Sequence, residues 1–131
     1  MDNIRPGMTG EHTTIITEAM TATALGSGGV PVYATPALVA LMEAAAVDAI
    51  ATLLPEGQTS VGIEIDLKHV AATPPGQSVR AKAEVITVEG RTIAFAIRAW
   101  DAHELIGEAT HRRVIVDSNR FMNRVEGKRQ G

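Results

Sequence analysis

The chain has 131 residues, a net charge of −3, 21% charged, 45% hydrophobic and only 3% aromatic side chains. A single domain of that size buries roughly two-thirds of its unfolded surface, and a chain with a negative balance and few rings for base stacking is not expected to bind nucleic acid. Cysteine is absent, which excludes disulfides, thiolate nucleophiles and sulfur-ligated metals.

The opening "MDNIRPGMTG" has no signal-peptide core. No segment is expected to reach the ~18 apolar residues of a membrane span, so the chain is expected to be cytoplasmic, with no membrane partner. "EHTTIITEAM" reads as a first strand, Ile15 and Ile16 lying among β-branched threonines. "ALGSGGVPVYA", Gly-rich and without a period, reads as a mobile loop. "GSGG" lacks the Lys-Ser/Thr of a phosphate-binding loop.

"TPALVALMEAAAVDAIATLLPEG" is then a long helix. Thr35 stands as N-cap and Pro36 in the first helical position, while Pro55 and Gly57 end it. Leu38, Leu41, Met42, Ala45, Ala49 and Leu53 recur at helical spacing, and the helix is apolar nearly all round. About nineteen residues would run near 28 Å.

From there the period is two. "SVGIEIDLKHVAATPPG" places Val61, Ile63, Ile65, Leu67 and His69 on one inner face. "QSVRAKAEVITVEG", "TIAFAIRAW" and "LIGEATHRRVIV" follow, joined by the tight turns "EGR" and "DAHE", which imply antiparallel pairing. The charged tail from Asp117 has a weak helix signal, with Ser118 as cap. The fold class is therefore α+β, one domain over residues 1–131. An antiparallel sheet must curl around the buried helix in the hotdog arrangement, and its open strand edges call for a homodimer, extensible to a dimer of dimers.

Two polar residues stand where apolar ones belong. Glu43 has Val39, Ala40, Ala46 and Val47 as helical neighbours and no Lys or Arg three or four positions away, so it needs a partner from elsewhere. His69 points inward at the end of its strand. Taken alone, Glu43 reads as a solvated rim residue and His69 as a satisfied core histidine. Together, on elements that pack, a carboxylate and an imidazole can serve as base or nucleophile with a proton-transfer partner. His12, His103 and His111 share no metal-ligand spacing with one another or with His69, so no metal is expected.

"TPALVALMEAAAV", "VGIEIDLKHVAATPPGQSV", "VEGR" and "GEATHRRVIV" resemble the fluoroacetyl-CoA thioesterase family of single-hotdog proteins, from about Thr35 to Val116. The resemblance implies a small acyl-CoA substrate, hydrolysis without a cofactor, and a catalytic Thr, Glu and His falling on Thr35, Glu43 and His69. It further implies that Gly62 and Arg113, with His69, contact the substrate. By its own chemistry Gly62 reads equally as a bulge, and Arg113 as a strand-end charge or a phosphate holder. The loop "GSGGVPVY" lacks phenylalanine, which argues against fluoroacetyl specificity. A non-catalytic hotdog module binding acyl-CoA remains the alternative. A hotdog dehydratase is disfavoured because its Asp-His pairing is missing.

Overall fold

The computed structural model describes residues 3–129. Its centre is helix α2, Thr35–Ile50, prolonged by a 3-10 turn at Ala51–Leu53. Leu38, Met42, Ala45 and Ala46 on it are fully enclosed; burying each Leu or Met contributes roughly 1.5–3 kcal/mol. Thr35–Leu53 is long and apolar enough to cross a membrane by length and composition. That corrects the expectation that no segment would be. Here the segment is the core helix, packed against strands on several sides.

The strands are β1 Thr9–Ile15, β2 Gln58–His69, β3 Ser78–Glu89, β4 Thr92–Trp100 and β5 Leu105–Asp117. They form one antiparallel sheet in the order β1-β3-β4-β5-β2. In β3 and β4 the expected alternation holds: Val79, Ala81, Ala83, Val85, Ile93, Phe95 and Ile97 are buried, while Arg80, Lys82 and Glu84 face out. The sheet curls around α2, the hotdog arrangement.

Four local expectations need correction. The first strand ends at Ile15, and Glu18–Met20 form a 3-10 turn. The Gly-rich segment begins with a short helix, α1, Ala22–Leu25, and closes on itself through Ala22 N–H to Val32 O and Ser27 N–H to Ala22 O. The last helix, α3, Ser118–Gly127, is capped by Asp117, whose side chain accepts from Arg120 N–H at 2.9 Å, and not by Ser118.

The fourth concerns β2, where the register shifts between Gly62 and Glu64. Ile63 is the extra residue of a bulge, and one extra residue exchanges the two faces of a strand. Ile65, Leu67 and His69 turn inward as expected. Before the bulge it is Ser60 and Gly62 that face the helix. Val61 falls on the opposite phase, and Ile63 is 55% exposed; neither joins the inner face.

The helix lies so close to β1 that Gly10 has no room for a side chain: a Cβ there would overlap the backbone of Ala45 and Ala49. Gly10→Ala is expected to lower stability by ~1–3 kcal/mol, the cost of overpacking a rigid contact, measured as a drop in the urea midpoint at unchanged m-value.

Candidate functional site

Two polar clusters flank α2. The first is at its N-terminus. Pro36 occupies the favoured early position, but the N-cap is Ala34, which supplies no side-chain cap. Thr35 is thus the first helical residue, not the cap. Its hydroxyl instead meets His69 Nδ1 at 2.9 Å. His69 is brought there by the inward phase of β2 after the bulge, and Val70 N–H to Ile106 O (2.8 Å) holds the strand end. Pro74, Pro75 and Gly76 then reverse the chain: Gly76 takes φ 93°, and its N–H donates to Ile16 O at 2.8 Å.

His69 Nε2 is buried without a hydrogen-bond partner among the described residues. Burial holds the imidazole below its ordinary pKa, with the Ala71 backbone offsetting this in part. Beside it lies an open pocket of about 350 Å³ lined by Ser27, Gly28, Val30, Val32, Thr35, His69 and Ala71, among others. Tyr33 packs below, its hydroxyl donating to Ala37 O at 3.2 Å, and burial pushes its phenol up to about 12. A larger hollow of about 670 Å³ lies on the outer face of the sheet among Lys68, Lys82, Arg98 and Glu108. It contains neither cluster.

The second cluster is built on Glu43. Eight residues beyond Thr35, it sits about 12 Å further along the helix. Its partner is Arg113, whose Nη1 lies 3.3 Å from Glu43 Oε2. The guanidinium is buried, 7% exposed. It also donates through Nε to Ser60 Oγ (2.8 Å) and through Nη2 to Ser60 O (3.1 Å). Burial pulls its pKa down and Glu43 opposes this; a guanidinium stays charged regardless. Gly62 explains itself here, because a Cβ would stand 2.6 Å from Glu43 Oε2. The missing side chain is the space the carboxylate occupies.

The five expected residues therefore divide. Thr35 and His69 touch each other; Glu43, Gly62 and Arg113 form a separate group. Within the chain His69 does not meet Glu43, because Gly62, against which Glu43 lies, is seven residues and roughly 20 Å of strand away. Arg113 is enclosed by Glu43 and Ser60 and is not at a solvated strand end. His111 and Ser60 complete the second group and had no signal of their own in the sequence; Ser60 lies on the phase read as outward and turns in only because of the bulge. His111 Nε2 lies 3.2 Å from Arg113 Nη1.

Residues 16–119 match the family described as fluoroacetyl-CoA-specific thioesterase, FlK. The chain belongs to this family. The fluoroacetyl-CoA thioesterase of Streptantibioticus cattleyicolor is 41% identical over 97 residues, 74% of this chain and 70% of that protein. A crystal structure of an FlK variant aligns with TM-score 0.91 at 34% identity, covering 98% of this chain and 99% of the other. Another, in complex with fluoroacetate and CoA, aligns with TM-score 0.85 at 35% identity over 90% and 99%. Among described residues no group of three or more His, Asp or Glu side chains is placed to hold a metal.

Two outcomes are expected. Gly62→Ala should fold, since the closest contact, 2.6 Å, is with the flexible end of Glu43, while His111 Cε1 and Arg113 Nη1 at 3.2 and 3.3 Å need give by only a few tenths of an ångström. It should displace that carboxylate and lower kcat by ~10-fold or more, and equal kcat in the two proteins would detach Glu43 from the chemistry. Second, burial lowers the pKa of both His69 and His111. The unfolded chain takes up protons near pH 6.5 that the folded one resists, so their stabilising contribution is present above that pH and lost as pH falls through the folded values. Melting temperature should be lower at pH 5.5 than at pH 7.5, with the gap narrowed in His111→Gln.

Proposed function

We propose that the protein is an acyl-CoA thioester hydrolase whose site is Thr35 and His69 of one protomer facing Glu43 of a second. The thioester hydrolase reading follows from membership of the family. The observation that carries the arrangement is the division of Thr35–His69 from Glu43–Arg113 along one helix, with β2 an unpaired edge.

An antiparallel pairing of two β2 edges about a two-fold axis near Ile65 and Asp66 would set His69 opposite the partner's Gly62. The unpartnered Nε2 then faces the second cluster. Glu43 attacks the thioester carbonyl, forming a mixed anhydride and expelling the CoA thiolate, and water then cleaves the anhydride to the free acid and the Glu43 carboxylate; or Glu43 takes a proton from a water that attacks the thioester in its place. His69, neutral at pH 7, carries the protons, delivering one to the departing sulfur. Thr35 and the free N–H groups of the first turn of α2, where negative charge is favoured, steady the oxyanion. Arg113 holds the carboxylate and is spent on it, so phosphate binding is not its role.

The loop side of the pocket beside His69 is made by Ser27, Gly28 and Val30, and the one ring in its lining besides His69, Tyr33, is buried beneath it, so small acyl groups meet no bulky lid. Fluoroacetyl-CoA and acetyl-CoA should differ in kcat/KM by no more than the ~10–200-fold of small apolar contacts. The non-catalytic alternative predicts acyl-CoA binding without thiol release.

Mixing inactive variants tests the arrangement. Glu43→Ala and His69→Ala should each lower kcat by at least ~10²-fold. Unfolded and refolded together, they should recover about a quarter of wild-type activity, because half the random pairs are mixed and each mixed pair holds one intact site. No recovery from folded mixed dimers would place the whole site within one chain.

A further inference from the structure

His111 is 1% exposed and stacks against Phe95, ring centroids 5.9 Å apart. A buried imidazole needs both nitrogens satisfied. Nδ1 lies 2.8 Å from Glu64 O, a carbonyl that can only accept, so Nδ1 carries the proton. Nε2 lies 3.2 Å from Arg113 Nη1, a group that can only donate, so Nε2 is bare. Both contacts demand one tautomer of the neutral ring. A protonated His111 would point N–H at N–H.

We propose that His111 is a positioning residue: a neutral acceptor that fixes the rotation of the Arg113 guanidinium and, through it, the Glu43 carboxylate. The proposal rests on the hydrolase reading above, in which that carboxylate reacts. Arg113 has five N–H donors. One goes to Ser60 Oγ, one to Ser60 O, one to Glu43 and one to His111. The Nη1 pair is therefore shared between the imidazole on the enclosed side and the carboxylate on the open side. Removing the acceptor leaves a buried N–H without a partner, and turning the guanidinium to satisfy it costs the Glu43 bond.

The bulge in β2 makes both ends of this relay. It exchanges the strand's faces so that Gly62 admits the carboxylate, and Glu64, the residue just past it, presents the carbonyl that sets the His111 tautomer. Burial and the Arg113 charge both lower the imidazole pKa, against the Glu64 carbonyl and Glu43, which raise it.

The test separates an acceptor from a space-filling ring. His111→Phe keeps the ring volume and the stack on Phe95 but has no acceptor; His111→Gln restores an oxygen near the place of Nε2. Neither keeps the imidazole bond to Glu64. The expected result is a kcat for acyl-CoA hydrolysis ~10-fold or more below wild type in His111→Phe, with KM within about threefold, and recovery to within about threefold in His111→Gln. In a Glu43→Ala background His111→Phe should change kcat no further. Equal kcat in the Phe and Gln variants, both high or both low, overturns the proposal. Should His111→Phe not fold, long-range ¹H–¹⁵N spectra of the wild-type protein decide: Nδ1 protonated and Nε2 bare is expected, and the opposite tautomer overturns it. If the wild-type protein releases no thiol from any acyl-CoA, the hydrolase reading fails and this proposal with it; if it turns over and the rescue or tautomer fails, only this proposal does.

Discussion

Everything in this fold answers to a long apolar helix with half its surface to hide from water. Leu38, Leu41, Met42, Ala45, Ala46, Ala49 and Ile50 cover roughly half the circumference of α2, and each is buried; Val39, Glu43, Ala44 and Val47 are half-buried, and Ala40 and Asp48 are exposed. A flat sheet covers one side of a helix, so the sheet has to curl, and the helix and strands have to come close. Gly10 and Gly107 mark two of the close approaches. A Cβ at Gly107 would lie 2.9 Å from Leu38 Cδ2. The alanines on the helix serve the same end by keeping the approach short. Close packing of this kind is unforgiving of added volume.

Where the sheet covers it, such a helix can present polar chemistry in few places. One is its N-terminus, where backbone N–H groups have no partner within the helix and Thr35 reaches His69. The other is the flank where the bulge of β2 withdraws a side chain at Gly62 and lets Glu43 lie down. The carboxylate remains partly open to solvent while the guanidinium that pairs with it is enclosed. Burying a charge demands that its donors be matched, and Ser60, His111 and Glu43 divide four of Arg113's five donors between them. The two polar clusters and the core are thus parts of one packing solution. Both clusters line the same helix, and β2, the strand that carries His69 and Gly62, is an edge of the sheet.

The regular elements were legible because their causes are local. Alternation in β3 and β4, the tight turn at Gly90 and the punctuation of α2 by Pro36 and Pro55 each need only neighbouring residues. That Glu43 required a partner was legible too, from the absence of any basic residue on its own helical surface. Its partner was not: Arg113 is seventy positions away and by spacing alone resembled a strand-end charge. The phase of Val61 and Ile63 was misread because a bulge is a property of the pair β2–β5, visible in register and invisible in one strand's pattern. Thr35 carries the side-chain type of an N-cap, yet the helix begins one residue earlier than that role requires. Asp117 took the cap expected of Ser118 for the same reason, since a one-residue shift in a terminus reassigns the duty.

By itself, then, the sequence determined the helix, the period-two strands, their antiparallel hairpins and the two misplaced polar residues, because hydrophobic spacing and turn chemistry act over a few residues. Only the tertiary structure decided who meets whom. His69 meets Thr35, Arg113 turns inward to Glu43, and His111 is held to one tautomer between Glu64 and Arg113. Those pairings depend on strand register, on a bulge and on the angle at which α2 crosses the sheet. These are long-range quantities, set by filling one core at once, and no local pattern encodes them.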